Sequence, residues 1–107
     1  MRTGSFEVRV VASLHAFSRV GLIVPKHRHS AVERNRVKRR LRELLRLEVL
    51  PVLRTLPLPL DVVVRASALA YARSYAELGD EMQQVTRRLA PVASETRRTS
   101  PRTDDVR

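Results

Sequence analysis

Apolar residues recur along this chain with two different periods, and the switches between them mark its elements. In residues 6–14, Phe6, Val8, Val10, Ala12 and Leu14 alternate with Glu7, Arg9, Val11 and Ser13. That period of two predicts a half-buried strand. A turn over 15–18 leads to a second predicted strand, 19–25, with Val20, Leu22 and Val24 on one face. Pro25 closes it, because proline brings no N–H to a ladder. Then the period changes. Val37, Leu41, Leu44 and Leu45 fall at i, i+4, i+7 and i+8, one face of a helix expected over 31–50. Ser30 and Glu33 form a capping-box pair at its start, and Pro51 is its expected stop.

Beyond Pro51, residues 52–59 carry Pro57 and Pro59 and read as an extended connector. The β-branched run DVVVRA, 61–66, predicts a buried strand that completes a βαβ unit with 19–25. A loop over 67–73 follows. Ser74 and Glu77 repeat the capping-box spacing and open a helix expected to end near Leu89, with Leu78, Met82, Val85 and Leu89 as its apolar stripe. Met82 reads as core filler. Gly79 weakens that helix by about 1 kcal/mol relative to alanine. Residues 91–107 are rich in Ser, Thr, Pro and Arg without a period, and are expected to form a disordered tail with auxiliary RNA contact. The fold class is therefore α+β: one small domain over 1–90 with about three strands, a crossover helix and a C-terminal helix.

Charge changes this picture, because it is concentrated. The chain of 107 residues has a net charge of +10. Nine Lys or Arg and two Glu between residues 26 and 46 supply +7 of it. On the predicted helix, Asn35, Arg39, Arg42 and Arg46 project opposite the apolar stripe. Arg34 and Lys38 take one flank, Arg36 and Arg40 the other. Most charge runs are solvated surface, and solvated helices gain from mixed signs at i,i+4. This helix sets like charges there instead: Arg34 with Lys38, Arg36 with Arg40, Arg42 with Arg46. A polyanion against that face relieves the repulsion, so the helix reads as a nucleic-acid surface.

Other chemistries lack their residues. There is no cysteine, which excludes disulfides and thiolate catalysis. No apolar run reaches the length of a membrane span, no signal-peptide pattern is present at the start, and a cytoplasmic location is the expectation. His27 and His29 stand two apart in the loop 26–30, without an evident third ligand for a metal. No paired-carboxylate or Ser/His/Asp arrangement stands out, so no catalytic residue and no protein-bound cofactor are expected. A metal-dependent nuclease would need clustered acids. A helix-turn-helix repressor would need a helix where the strands are predicted.

The run RVGLIVPKHRHSAVERNRVKRRLRE, residues 19–43, resembles the signature of the bacterial ribonuclease P protein component. That family has a strand reading like RVGLSVSKK, a short loop, and then AV-x-RNR-x-KR-x-x-RE on a helix. Arg19, Val20, Gly21, Val24 and Lys26 match the first part. Ala31, Val32, Arg34, Asn35, Arg36, Lys38, Arg39, Arg42 and Glu43 match the second, and the likeness extends over roughly 6–89. The chain departs from the pattern at Pro25, usually serine, at His27, usually a second lysine, and at His29, usually glycine. In that family a helix and a strand normally precede the segment that 6–14 resembles and help form the cleft for a precursor-tRNA leader, so a chain beginning at Met1 is expected to be an incomplete form of the subunit.

The resemblance implies a two-layer α/β sandwich of the ribosomal protein S5 domain 2-like kind, with a left-handed crossover. It implies a non-catalytic subunit of an endoribonuclease that removes the 5′ leader from precursor tRNA. The implied partners are the catalytic RNA and precursor tRNA, with Mg2+ in the RNA holoenzyme and no membrane or small-molecule substrate. The expected RNA-binding residues are Lys26, Arg28, Arg34, Asn35, Arg36, Lys38, Arg39, Arg42 and Arg46. The alternative is a basic structural RNA-binding module of ribosomal type, with no role in tRNA processing.

Overall fold

A computed structural model describes residues 1–99. Strands β1 (Phe6–Ala12) and β2 (Arg19–Ile23) are followed by helix α1 (Ala31–Leu44). A π-helical turn, Leu45–Val49, joins α1 to α2 (Leu50–Thr55). Strand β3 (Leu60–Ala66), a 3-10 turn (Ala68–Ala72) and helix α3 (Tyr75–Thr99) complete the chain.

The sheet order is β1-β3-β2, with β3 antiparallel to β1 and parallel to β2. Parallel pairing of β2 with β3 requires a crossover, and α1 with α2 supplies it. The register sets Val8, Val64 and Leu22 in one row across the sheet, and Val10, Val62 and Val20 in the next. These rows face the helices. Val37, Leu41, Leu44, Leu45, Val49 and Leu53 come down from the crossover side, and Leu78, Met82, Val85 and Leu89 from α3; all are buried. The predicted stripes of both helices are thus the core, and Met82 is filler within it.

The local rules fail at two prolines. Pro51 was expected to end the long helix, yet helical turns continue to Thr55 and Leu53 is buried. The π turn explains this. It adds a residue to the ladder, the Leu50 N–H reaches back to the Leu45 carbonyl, and Pro51 then falls in the first turn of α2. Proline is tolerated there because its missing N–H would be unpaired anyway. The connector shrinks to 56–59. In α3, Pro91 does not end the helix, which runs past Leu89 to Thr99. A proline inside a helix removes one bond and can bend the axis without stopping it. The expected disordered tail is therefore helical over 91–99, and 100–107 lie outside the described residues.

Smaller shifts follow from pairing. β1 ends at Ala12 rather than 14, and Leu14 is 99% exposed. β2 leaves the ladder at Ile23, though Val24 stays buried. The loop 67–73 contains the 3-10 turn.

Residues 1–4 fold back on β1. Val8 N–H donates to the Met1 carbonyl and Thr3 N–H to the Phe6 carbonyl, both at 2.8 Å. Glu81 of α3 pins this turn: it accepts the Ser5 N–H at 2.8 Å and the Ser5 hydroxyl at 2.6 Å. Burial alone would push the Glu81 carboxyl up. The Ser5 bonds, Thr3 and Arg73 outweigh it and hold the group below the usual carboxylate range.

Candidate nucleic-acid interface

Helix α1 begins as its spacing requires. The Ser30 hydroxyl accepts the Glu33 N–H at 3.1 Å, and the Glu33 carboxylate accepts the Ser30 N–H at 2.9 Å. This pair satisfies two of the donors a helix start leaves open. It also occupies one of the two acids near the basic run. The Ser30 N–H, joined by His29, holds the Glu33 carboxyl below its usual range.

The other acid is occupied as well. Arg46 donates to Glu43 through Nε at 3.2 Å and Nη2 at 2.7 Å. That pairing lowers the Glu43 carboxyl and raises the Arg46 guanidinium. Arg34 is turned inward: its Nε donates to the Val24 carbonyl at 2.6 Å and ties α1 to the end of β2. So Arg34 and Arg46, though both in the expected RNA-binding set, each have an intramolecular partner. Arg36, Lys38, Arg39, Arg40 and Arg42 have none among the described residues. Asn35, Arg36, Arg39, Arg40 and Arg42 are exposed and Lys38 is half-buried.

One shallow recess on this helix is lined by Val32, Asn35, Lys38, Arg39 and Arg42. Val32, 70% exposed, puts an apolar spot between cations. It belongs to the matched motif, but an expected list made of polar residues omits it.

The loop 26–30 adds Lys26 and Arg28, both exposed. His29 N–H donates to the Lys26 carbonyl at 2.8 Å, closing a tight turn. His27 and Arg28 within it have φ of 46° and 69°. Each left-handed non-glycine residue costs roughly 1–2 kcal/mol. The ring of His29 lies on Tyr71 at 3.9 Å and 2°, and that of His27 meets Tyr71 edge-on at 6.3 Å and 83°. Among the described residues, no three of His, Cys, Asp and Glu come together in a group that could hold a metal.

A second cationic surface is the sheet face turned away from the helices. There the register sets Val63 between Arg9 and Gly21, and Arg65 between Glu7 and Ile23. Glu7, Arg9, Ile23, Val63 and Arg65 line a recess. Arg19 grips Asp61 through two bonds, at 3.3 and 3.2 Å, and the guanidinium holds that carboxyl low. Asp61 is thus a structural partner. The strand alternation carries the signal for Arg9 and Arg65, since both stand at outward positions.

The model of the family described as Ribonuclease P matches residues 1–90. No curated protein sequence matches the chain. Among solved structures, the RNase P protein of Thermotoga maritima is 23% identical, with a TM-score of 0.67 over 82% of this chain and 80% of its own. The RNase P protein of Staphylococcus aureus is also 23% identical, with a TM-score of 0.65 over 81% of this chain and 76% of its own. At that identity the two structures speak for the fold alone, while the family match spans most of the chain. No match favours the alternative of a ribosomal-type module. The chain belongs to the ribonuclease P protein family, as a subunit of the ribonucleoprotein whose RNA catalyses removal of the 5′ leader from precursor tRNA.

Proposed function

We propose that this subunit holds the catalytic RNA of ribonuclease P on the exposed face of α1, extended by Lys26 and Arg28. The observation that carries this reading is the absence, among the described residues, of any acid paired with Arg36, Lys38, Arg39, Arg40 or Arg42. Guanidinium forks suit phosphate oxygens and stack on unpaired bases. Asn35 sits among them as a neutral donor to phosphate or sugar. Arg34 keeps its Nη donors while its Nε holds Val24, and Arg46 reaches RNA only by sharing or leaving Glu43.

The outer sheet face, with Arg9 and Arg65 beside exposed Val63 and Ile23, suits the unpaired leader of precursor tRNA. Among the described residues no group of carboxylates is placed to hold Mg2+, and Glu33 and Glu43 beside the basic face are both engaged. The ions of the holoenzyme belong with RNA phosphates. The protein's part is to neutralise phosphates, so that the RNA folds and works at lower Mg2+. No helix among the described residues is long and apolar enough to cross a membrane, and the RNA partners argue for the cytoplasm.

The test is reconstitution. Adding the protein to its cognate catalytic RNA should raise precursor cleavage at low Mg2+. An unchanged rate across a Mg2+ series would refute the assignment.

A further inference from the structure

The loop 26–30 carries two exposed cations on a backbone that is strained at two consecutive residues, His27 and Arg28. Such a loop keeps its shape only if something outside it holds it. Glycine, free to adopt φ above zero, is absent from it. What holds it comes from the far side of β3. The Tyr71 hydroxyl donates to the Pro25 carbonyl, at the exit of β2. The carbonyl just before it, that of Val24, is taken by Arg34. The face of Tyr71 supports His29, and its edge meets His27. Further along, His27 Nε2 faces the Ala66 carbonyl and His29 Nδ1 faces Glu33 Oε1, each at 3.4 Å.

The loop side chains therefore differ in what they meet. His29, half-buried, stacks on Tyr71 and His27, itself exposed, meets the edge of that ring, while Lys26 and Arg28 are exposed and make no contact with it. We propose that Tyr71 is a positioning residue for RNA binding: it clamps the two histidines so that Lys26 and Arg28 are presented in fixed places beside the start of α1. It touches no RNA itself. The two histidines, where the family usually has lysine and glycine, then serve as the clamp's other half. This inference rests on the assignment of α1 and its loop to RNA. It adds a residue that the basic motif does not contain.

The experiment uses the full chain and ribonuclease P RNA, with binding measured over a salt series, together with proton spectra of the histidine rings. Tyr71→Phe keeps the ring and loses only the bond to Pro25, so the ring-current shift of His29 should persist and the loss of binding should be smaller than that of Tyr71→Leu. Tyr71→Leu keeps apolar bulk but loses ring and hydroxyl. The His29 shift should vanish, and the slope of log affinity on log salt should shrink by roughly one to two, the share of one or two phosphate contacts. Combined with Lys26→Ala and Arg28→Ala, Tyr71→Leu should cost no further affinity, because it acts through those two side chains. A Tyr71→Leu slope equal to the parent's, or a loss that adds in full to the Lys26/Arg28 loss, would overturn the clamp. The Arg39→Ala/Arg42→Ala variant separates the two levels. If it weakens binding while Tyr71→Leu does not, the RNA assignment stands and the clamp falls. If it binds like the parent, the RNA assignment fails and the clamp falls with it.

Discussion

On α1, Arg36, Lys38, Arg39, Arg40 and Arg42 point outward without an acid to meet them among the described residues. Where α3 meets the N-terminal turn, charge is used up inside the molecule. Glu81 takes both donors of Ser5, and Arg73 lies 3.8 Å from Glu77 and 3.7 Å from Glu81. Both regions are rich in charge, and a count of charged residues does not separate them. Pairing does. The α3 end spends its charge on closing the fold, whereas α1 keeps its charge for a partner. Changes at the first should move stability, and changes at the second should move affinity.

The largest stability effect should come from beneath the basic face. Leu41 is fully buried, and Leu41→Ala should cost about 2–5 kcal/mol by denaturant unfolding. The protein that remains folded should bind RNA as before. On the outer side of the same helix, Arg39→Ala with Arg42→Ala should do the opposite. Two charge-assisted contacts are worth roughly 3 kcal/mol or more together, a hundredfold or greater loss of RNA affinity. Unfolding free energy should stay within about 0.5 kcal/mol of the parent, because both side chains are exposed.

At the α3 end, Glu81→Gln should cost about 1–3 kcal/mol, because an amide cannot accept both Ser5 donors as the carboxylate does. RNA affinity should be unmoved. The effect carries a pH signature. Glu81 ionises below the usual carboxylate range in the folded protein, so its contribution is complete above the unfolded value of about 4.3. It is lost as pH falls through the lower folded value. The stability gap between parent and variant should therefore be full at neutral pH and close in acid. A constant gap would mean that Glu81 acts through packing rather than charge.

The smallest effect belongs to Glu43→Gln. Freeing Arg46 from its exposed partner should raise RNA affinity severalfold at most and leave the melting temperature unchanged, since exposed pairs add little stability. A fall in affinity would show that the Arg46–Glu43 pair orders the surface for binding.

Much of this division can be read in the chain before folding, where the signal is local. The alternation from Phe6 and the stripe from Val37 to Leu45 place strand, helix and core face correctly, because period alone decides which side chains meet. Both capping boxes form for the same reason, their partners being three residues apart. The basic face follows from the stripe as its opposite.

What stayed hidden depends on distant partners. Pro51 carries a local stop signal, and burial of Leu53 against the core overrides it through the π turn. Tyr71 touches Pro25 across 46 positions, and nothing in its own neighbourhood announces that contact. The inward bond of Arg34 to Val24 is equally silent, because a basic motif looks the same whether each guanidinium faces solvent or a carbonyl.

The central claim is that the unpaired cations of α1 and its loop are held for RNA phosphate. Its most direct test is the affinity of the intact chain for ribonuclease P RNA between about 50 and 200 mM salt. With about six cations engaged, affinity should fall roughly a thousandfold over that range, and Arg39→Ala/Arg42→Ala should shrink the log–log slope by about two. A parent curve that stays flat, or a variant curve parallel to a steep parent, would contradict the assignment of this face to RNA.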